Sequence, residues 1–233
     1  MVINMFYYDS TYLLVIIGAV LTIIASARVN STFNKYKKVR SAAGMTGAEA
    51  ARRLLNNAGI NDVSIEHISG NLTDHYDPSQ KVLRLSDATY GSSSVAAIGV
   101  AAHECGHAIQ HFEGYVPLKI RSTLVPAANI GSRLGIPICI LGMLLSFNQT
   151  LITVGIWVFS LAVLFQIITL PVEFNASSRA IRLLDETGIL YGQEIKDTKR
   201  VLGAAALTYV AAAAASILQL LRLVLIFGGR DRD

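Results

Sequence analysis

Apolar positions along the chain fall into long uninterrupted blocks, separated by polar stretches with helix or strand periodicity. Tyr12 to Ala27 (YLLVIIGAVLTIIASA) is apolar and uncharged, and with its flanks approaches the roughly 17–25 residues that a membrane span needs. The first charge is Asp9 and the first basic residue Arg28, so the block reads as an uncleaved anchor; a signal peptide would want Lys or Arg before it. Gly135 to Phe147 is a shorter block, and extends back through Pro126 to Leu134 if Arg133 is buried or snorkels. Leu151 to Leu170 is a full span, and only Asn148, Gln149 and Thr150 separate the two, which makes a hairpin. Gly203 to Phe227 is a last apolar helix interrupted by Arg222. About four spans are expected; Arg222, Arg230 and Arg232 leave open whether the last one crosses or lies in the interface.

Between these blocks the pattern changes. Thr46 to Asn57 (TGAEAARRLLNN) has a Thr N-cap with Glu49 three residues on, a capping box, and Gly59 closes the helix. Val63 to Ile68 and Lys81 to Leu85 alternate as short strands, with the Asp and Pro of a turn in Asn71 to Pro78. Ser92 to Phe112 begins with a serine cap and continues as helix. Five segments follow: an anchor with a basic stretch (1–40), a polar region (41–122), a transmembrane hairpin (123–170), a polar helical return (171–202) and a C-terminal apolar helix with its tail (203–233). The expected fold is α+β and mainly α, with a small antiparallel sheet merged with the spans.

Composition agrees with this division. Of the 233 residues 52% are hydrophobic and 15% charged, against about 25% charged in soluble domains. Arg28, Lys35, Lys37, Lys38 and Arg40 follow the first span, and Arg179, Arg182, Lys196, Lys199 and Arg200 follow the third, so both segments are expected inside the cell. No basic run is interleaved with aromatics, which excludes a nucleic-acid partner. The two cysteines, Cys105 and Cys139, form no disulfide framework.

The chemistry sits in His103-Glu104-Cys105-Gly106-His107. On a helix the two histidines lie one turn apart on one face and can share a tetrahedral zinc ion. Zinc lowers the pKa of a bound water to about 7, within reach of Glu104 as general base and later as proton donor to the leaving amine. Lys81 to Leu85 precedes the motif, where an edge strand would pair with extended substrate. Cys105 lies about 200° round the helix from His103, towards packing.

A third ligand is needed. His111 would stand about 12 Å along the axis from His103, too far for one ion, and is read as supporting the site or ending the helix; Glu113 is read as solvated. Glu173, in PVEFNASSRA, is the only carboxylate where the third span returns and a new helix is expected; a plain alternative is an acidic residue favouring that helix N-terminus. Arg179, His75, Tyr90 and Tyr209 are candidate donors to a tetrahedral oxyanion.

HExGH followed by EFNAS-x-RA at a membrane exit resembles the bacterial neutral zinc metallopeptidases of the YugP type, themselves similar to the HtpX-type membrane proteases. LTDHYDP, KVLRLS, VAAHECGHAIQH, PVEFNASSRA and VLGAAALTYVAAA carry the likeness over most of the chain. The resemblance implies a zincin-like, gluzincin-type helix, one catalytic Zn2+ held by His103, His107 and Glu173, and Glu104 as catalytic glutamate. It departs from the HtpX-type ExxAD pattern in having Ser177 where Asp would orient a histidine, a task that Asn175 or Asp74 could take over.

The expected protein is a multi-pass enzyme of the bacterial inner membrane, hydrolysing peptide bonds of membrane or unfolded proteins at the cytoplasmic face. The Ala-rich stretch Gly203 to Ser216 could pack on a membrane-protein partner or a second copy. The alternative is a non-catalytic zinc scaffold, which has no use for Glu104. A site-2-type protease is disfavoured, because the HExxH helix carries too many ionisable groups for a lipid span and the chain has no suitable Asp-Gly.

Overall fold

A computed structural model describes residues 10–227; the tail GGRDRD and Asp9 lie outside them. The fold is mainly helical, with six helices and one small sheet: α1 (Tyr12–Tyr36), α2 (Gly47–Asn57), β1 (Ser64–Ile68), β2 (His75–Asp77), β3 (Val82–Ser86), α3 (Val95–Phe112), α4 (Val116–Leu144), α5 (Gln149–Glu186) and α6 (Gln193–Phe227). Helices α1, α4, α5 and α6 are long and apolar enough to cross a membrane. The described residues form two compact units. One takes those up to Ile24, Thr123–Ile167 and those from Val210; the other takes Ala25–Ser122 and Ile168–Tyr209.

In the first unit the helices expose Leu, Ile and Val side chains and Trp157, as lipid-facing helices do. Without a hydrophobic drive between helices in lipid, close backbone approach supplies the packing. The α4–α5 hairpin achieves it with Gly155, whose α-carbon faces Gly135 O and the Cys139 backbone so closely that a Cβ would stand 2.8 Å from each. Asn148 caps α5 by accepting from Leu151 N (3.1 Å), which makes Asn148 the end of the turn rather than its start. Arg133 is exposed on α4, and Arg222 lies 4.2 Å over the Tyr12 ring.

The second unit is built on α2 and α3. Thr46 Oγ1 accepts from Glu49 N and the Glu49 carboxylate accepts from Thr46 N, the capping box in full. Leu54, Leu55, Leu83, Leu85, Ile98 and Leu184 close a core joining α2, the sheet, α3 and the distal part of α5.

Three features differ from the expectations. The sheet is mixed, in order β1-β3-β2, with β1 parallel and β2 antiparallel to β3. Its central strand is β3, within the segment expected at the edge; the extra strand β2 comes from Asn71 to Pro78, read as turn. Arg84 draws it in, pairing with Asp77 at 3.3 Å across the register His75↔Arg84. Finally, no new helix starts near Glu173, because α5 runs through Pro171 without a break. Glu173 therefore stands inside a helix, and the helix N-terminus offered as its plain explanation does not exist.

Candidate metal centre

Ser94 caps α3 by accepting from Ala97 N at 3.2 Å, which starts the helix at Val95, eight residues before His103, and sets its phase. His103 and His107 then share the face that looks at α5, their rings 4.8 Å apart and edge to face. Glu173 comes from α5 and is 3% exposed. Its Oε2 lies 3.2 Å from His103 Nε2 and 3.5 Å from His107 Nε2. Two ligands bonded at about 2.0–2.1 Å at a tetrahedral angle stand about 3.4 Å apart. Two sides of the donor triangle have that length and all three donors lie within 4.8 Å of one another, so the group could hold a metal ion; no others among the described residues converge in this way. This donor set fits the metal: two imidazole nitrogens and one carboxylate oxygen, three of the four ligands that a tetrahedral zinc takes.

The opposite nitrogens of both rings are also committed. His103 Nδ1 meets Ser177 Oγ at 3.1 Å. His107 Nδ1 meets Gln110 Oε1 at 3.0 Å, and a chain of donors fixes which atom carries the proton. Arg179 can only donate, so its Nε bond to Asn175 (2.7 Å) identifies the Asn175 oxygen. Gln110 Nε2 donates to that oxygen (2.9 Å) and to Val172 O (2.8 Å). Gln110 therefore turns its carbonyl to His107 and Nδ1 holds a proton, which leaves Nε2, on the Glu173 side, as the atom that would lose its proton to a metal. Arg179 is anchored in turn by Glu113 at 2.7 Å. Replacing Gln110 by Leu, close in volume, is expected to weaken zinc binding about 10–100-fold, as loss of such a partner does, measured by competition with a chromogenic chelator.

Burial alone would push the His107 imidazole down, but the hydrogen bond to Glu173, the charges of Glu104 and Glu173, and Gln110 outweigh it and hold it above its ordinary value. Arg121 lies 3.4 Å from the other oxygen of Glu173, and Tyr209 brings its hydroxyl to the same carboxylate.

Glu104 is buried beside the triangle, its Oε2 accepting from Tyr76 N at 3.0 Å. Glu104 is thus held by edge strand β2. His111 does not approach the metal face; its Nδ1 meets the Tyr76 hydroxyl at 2.9 Å. Glu113 binds Arg179 rather than standing free. Asp74 is taken by Ser86, whose N and Oγ donate to it, so it orients neither histidine. Among the oxyanion candidates, Tyr209 is at the site, Arg179 is occupied in the donor chain, His75 turns its Nδ1 to Thr73 O, and Tyr90 packs on the core and the His67 ring. Gln110, Arg121 and the role of Ser177 were not foreseen. Spacing held the signal for two: Gln110 follows His107 by three residues and Ser177 follows Glu173 by four, each on its neighbour's helix face. Nothing local marks Arg121.

Cys105 points the other way. Its thiol donates to Ala51 O (3.6 Å) in the core, and burial pushes it well up, so it is inert.

The chain matches, over residues 11–228, the model of a family described as "putative neutral zinc metallopeptidase". The chain belongs to that family. It is also 50% identical over 210 residues to the "putative membrane protease YugP" of Bacillus subtilis (strain 168), covering 90% of this chain and 93% of the relative. No solved structure matches it. With its four apolar helices, this chain is a membrane protein of a zinc metallopeptidase family.

Family membership gives the motif glycine a reason in this geometry. A Cβ on Gly106 would lie 2.5 Å from Ala176 O and 3.1 Å from two further backbone atoms of Ala176. Only a hydrogen lets α3 approach α5 closely enough for Glu173 to reach both histidines. Gly106→Ala forces the helices apart, at an overpacking cost of about 1–3 kcal/mol. It is expected to lower both the chemical-denaturation midpoint and the zinc affinity.

Proposed function

We propose that the chain is a zinc-dependent endopeptidase of the membrane, zincin-like in its HExxH helix, cleaving membrane or unfolded proteins at the cytoplasmic face. His103, His107 and Glu173 hold the zinc ion and Glu104 is the general base. The observation that carries this reading is the ligand triangle with Glu104 beside it, tied to a strand edge.

When bound, zinc supplies an activated water and polarises the scissile carbonyl. The residues do the rest. Glu104 takes the water proton and returns it to the leaving amine. Gln110 and Ser177 keep the histidines oriented, so the site forms without rearrangement. Substrate adds as an extended strand along the outer side of β2, pairing with the Tyr76 C=O while the Tyr76 N–H holds Glu104. Tyr209 and Arg121, both at the Glu173 carboxylate, supply a hydroxyl and a cationic donor beside the site. The cytoplasmic side is supported by the basic residues after α1's apolar part and around the end of α5.

The purified, detergent-solubilised chain loaded with zinc is expected to cut a reduced, unfolded polypeptide. A chelator should stop the reaction and added zinc restore it. Stoichiometric zinc without cleavage of any unfolded substrate would favour the scaffold reading.

A further inference from the structure

Away from the metal centre a cavity of about 520 Å³ opens between α1 and α6 within the second unit. Its walls are two helical stripes. Arg28, Thr32 and Lys35 recur at i, i+4 and i+7 on α1, and Arg200, Gly203 and Leu207 at i, i+3 and i+7 on α6. The Tyr36 hydroxyl closes it, accepting from Arg200 Nη1 at 3.1 Å. Gly203 keeps it open, since a Cβ there would meet nothing within 4 Å.

The charge is unbalanced. Among the described residues no carboxylate pairs with Arg28 or Lys35, and of the three cations only Arg200 has one, Asp197 at 2.8 Å. Three cations and the hydroxyls of Ser31, Thr32 and Tyr36 around an empty space call for an anion with several oxygens, which is phosphate chemistry. Position then selects its source. Arg28 follows directly on the apolar block ending at Ala27, and Gly203 begins the apolar block of α6. Both walls therefore sit where hydrocarbon gives way to headgroups, and exposed Leu207 continues the wall on the apolar side.

We propose that this cavity binds the phosphate headgroup of an anionic phospholipid, with Arg28, Lys35 and Arg200 as its cationic ligands. The site is independent of zinc and of catalysis, so its test stands whether or not the chain cleaves peptides.

The probe is phosphatidylglycerol, added to the full chain in neutral-detergent micelles containing phosphatidylcholine. Native mass spectrometry is expected to show one retained phosphatidylglycerol, and the unfolding midpoint to rise saturably by several degrees. Neither phosphatidylcholine nor millimolar inorganic phosphate should reproduce this. The Arg28→Gln/Lys35→Gln double variant removes side chains that carry no ion pair, so the fold stands, and it should weaken retention at least tenfold. Gly203→Leu should do the same by filling the space at unchanged charge. Lys37→Gln/Lys38→Gln removes equal charge just outside the cavity and should leave retention intact. Equal losses in both double variants would overturn the site in favour of diffuse attraction, as would full retention in Gly203→Leu. An equal midpoint rise with inorganic phosphate would overturn the lipid as its source.

Discussion

Glu104→Gln is expected to lower peptide hydrolysis by about 10²–10⁴-fold while leaving zinc content and unfolding unchanged. The separation of effects follows from what Glu104 touches. Its Oε2 accepts from Tyr76 N, a bond that a glutamine carbonyl can keep, so the tie between α3 and β2 survives. The substitution removes only the ability to take a proton. Because Glu104 is not one of the three converging donors, its loss of charge removes no bond to the metal, and zinc content at saturating metal should hold. The measurements are turnover of an unfolded polypeptide, elemental zinc analysis and a thermal melt on the same preparation. Full activity in this variant would end the enzymatic reading of the motif. A loss of zinc alongside activity would make Glu104 part of the metal site instead.

Glu173→Gln is the second large effect, and it falls on the metal itself. The carboxylate is buried and shared by His103, His107 and Arg121, so no solvent or neighbouring acid can replace it. Loss of an oriented partner alone weakens metal binding about 10–100-fold, and loss of a direct ligand should exceed the upper end of that range. Retained stoichiometric zinc would exclude Glu173 as a ligand. The pH dependence offers a second reading of the same contact. In the metal-free protein Glu173 is the leading influence holding the His107 imidazole above its ordinary value, against its burial. Zinc needs the neutral ring, so protons compete below that raised value, and apparent zinc affinity should fall as pH drops through it. In Glu173→Gln the largest raising influence is gone while Glu104 and Gln110 remain, so the weakened binding should begin to fall at lower pH than in the parent chain. Zinc titrations between about pH 5 and 8, where imidazoles ionise, check both signs.

The sequence patterns that rest on local physics read through to the structure. The capping box of α2, the serine cap and face of α3, and the four apolar blocks each depend on residues within a few turns of one another. What was not legible depends on partners far along the chain. Strand β2 is three residues long in a segment rich in Asp and Pro. Arg84, His111 and Glu104 hold it there, none of them adjacent to it in sequence. The parallel pairing of β1 with β3 is equally non-local. Pro171 should locally have ended a helix, yet burial of Val172, Ala176 and Ala180 along one face carries α5 through it. At the site, the histidines and Glu173 were visible as residue types, and their convergence needed α5 to be continuous. The proton assignment of His107 needed Arg179 and Asn175, which sequence alone gave no reason to join to Gln110.

The brevity of β2 bears on how substrates are chosen. In an antiparallel ladder alternate residues face outwards, and the Tyr76 N–H is taken by Glu104, so the three-residue edge offers a visiting chain only the C=O of Tyr76. One hydrogen bond contributes about 0.5–1.5 kcal/mol net, short of the roughly 4 kcal/mol of a millimolar complex. Backbone pairing alone therefore captures almost nothing from dilute solution. A substrate confined to the same bilayer meets the site at an effective concentration in the millimolar range, which makes up much of that deficit. Under the proposed function, co-residence in the membrane selects the substrate more than its amino-acid sequence does.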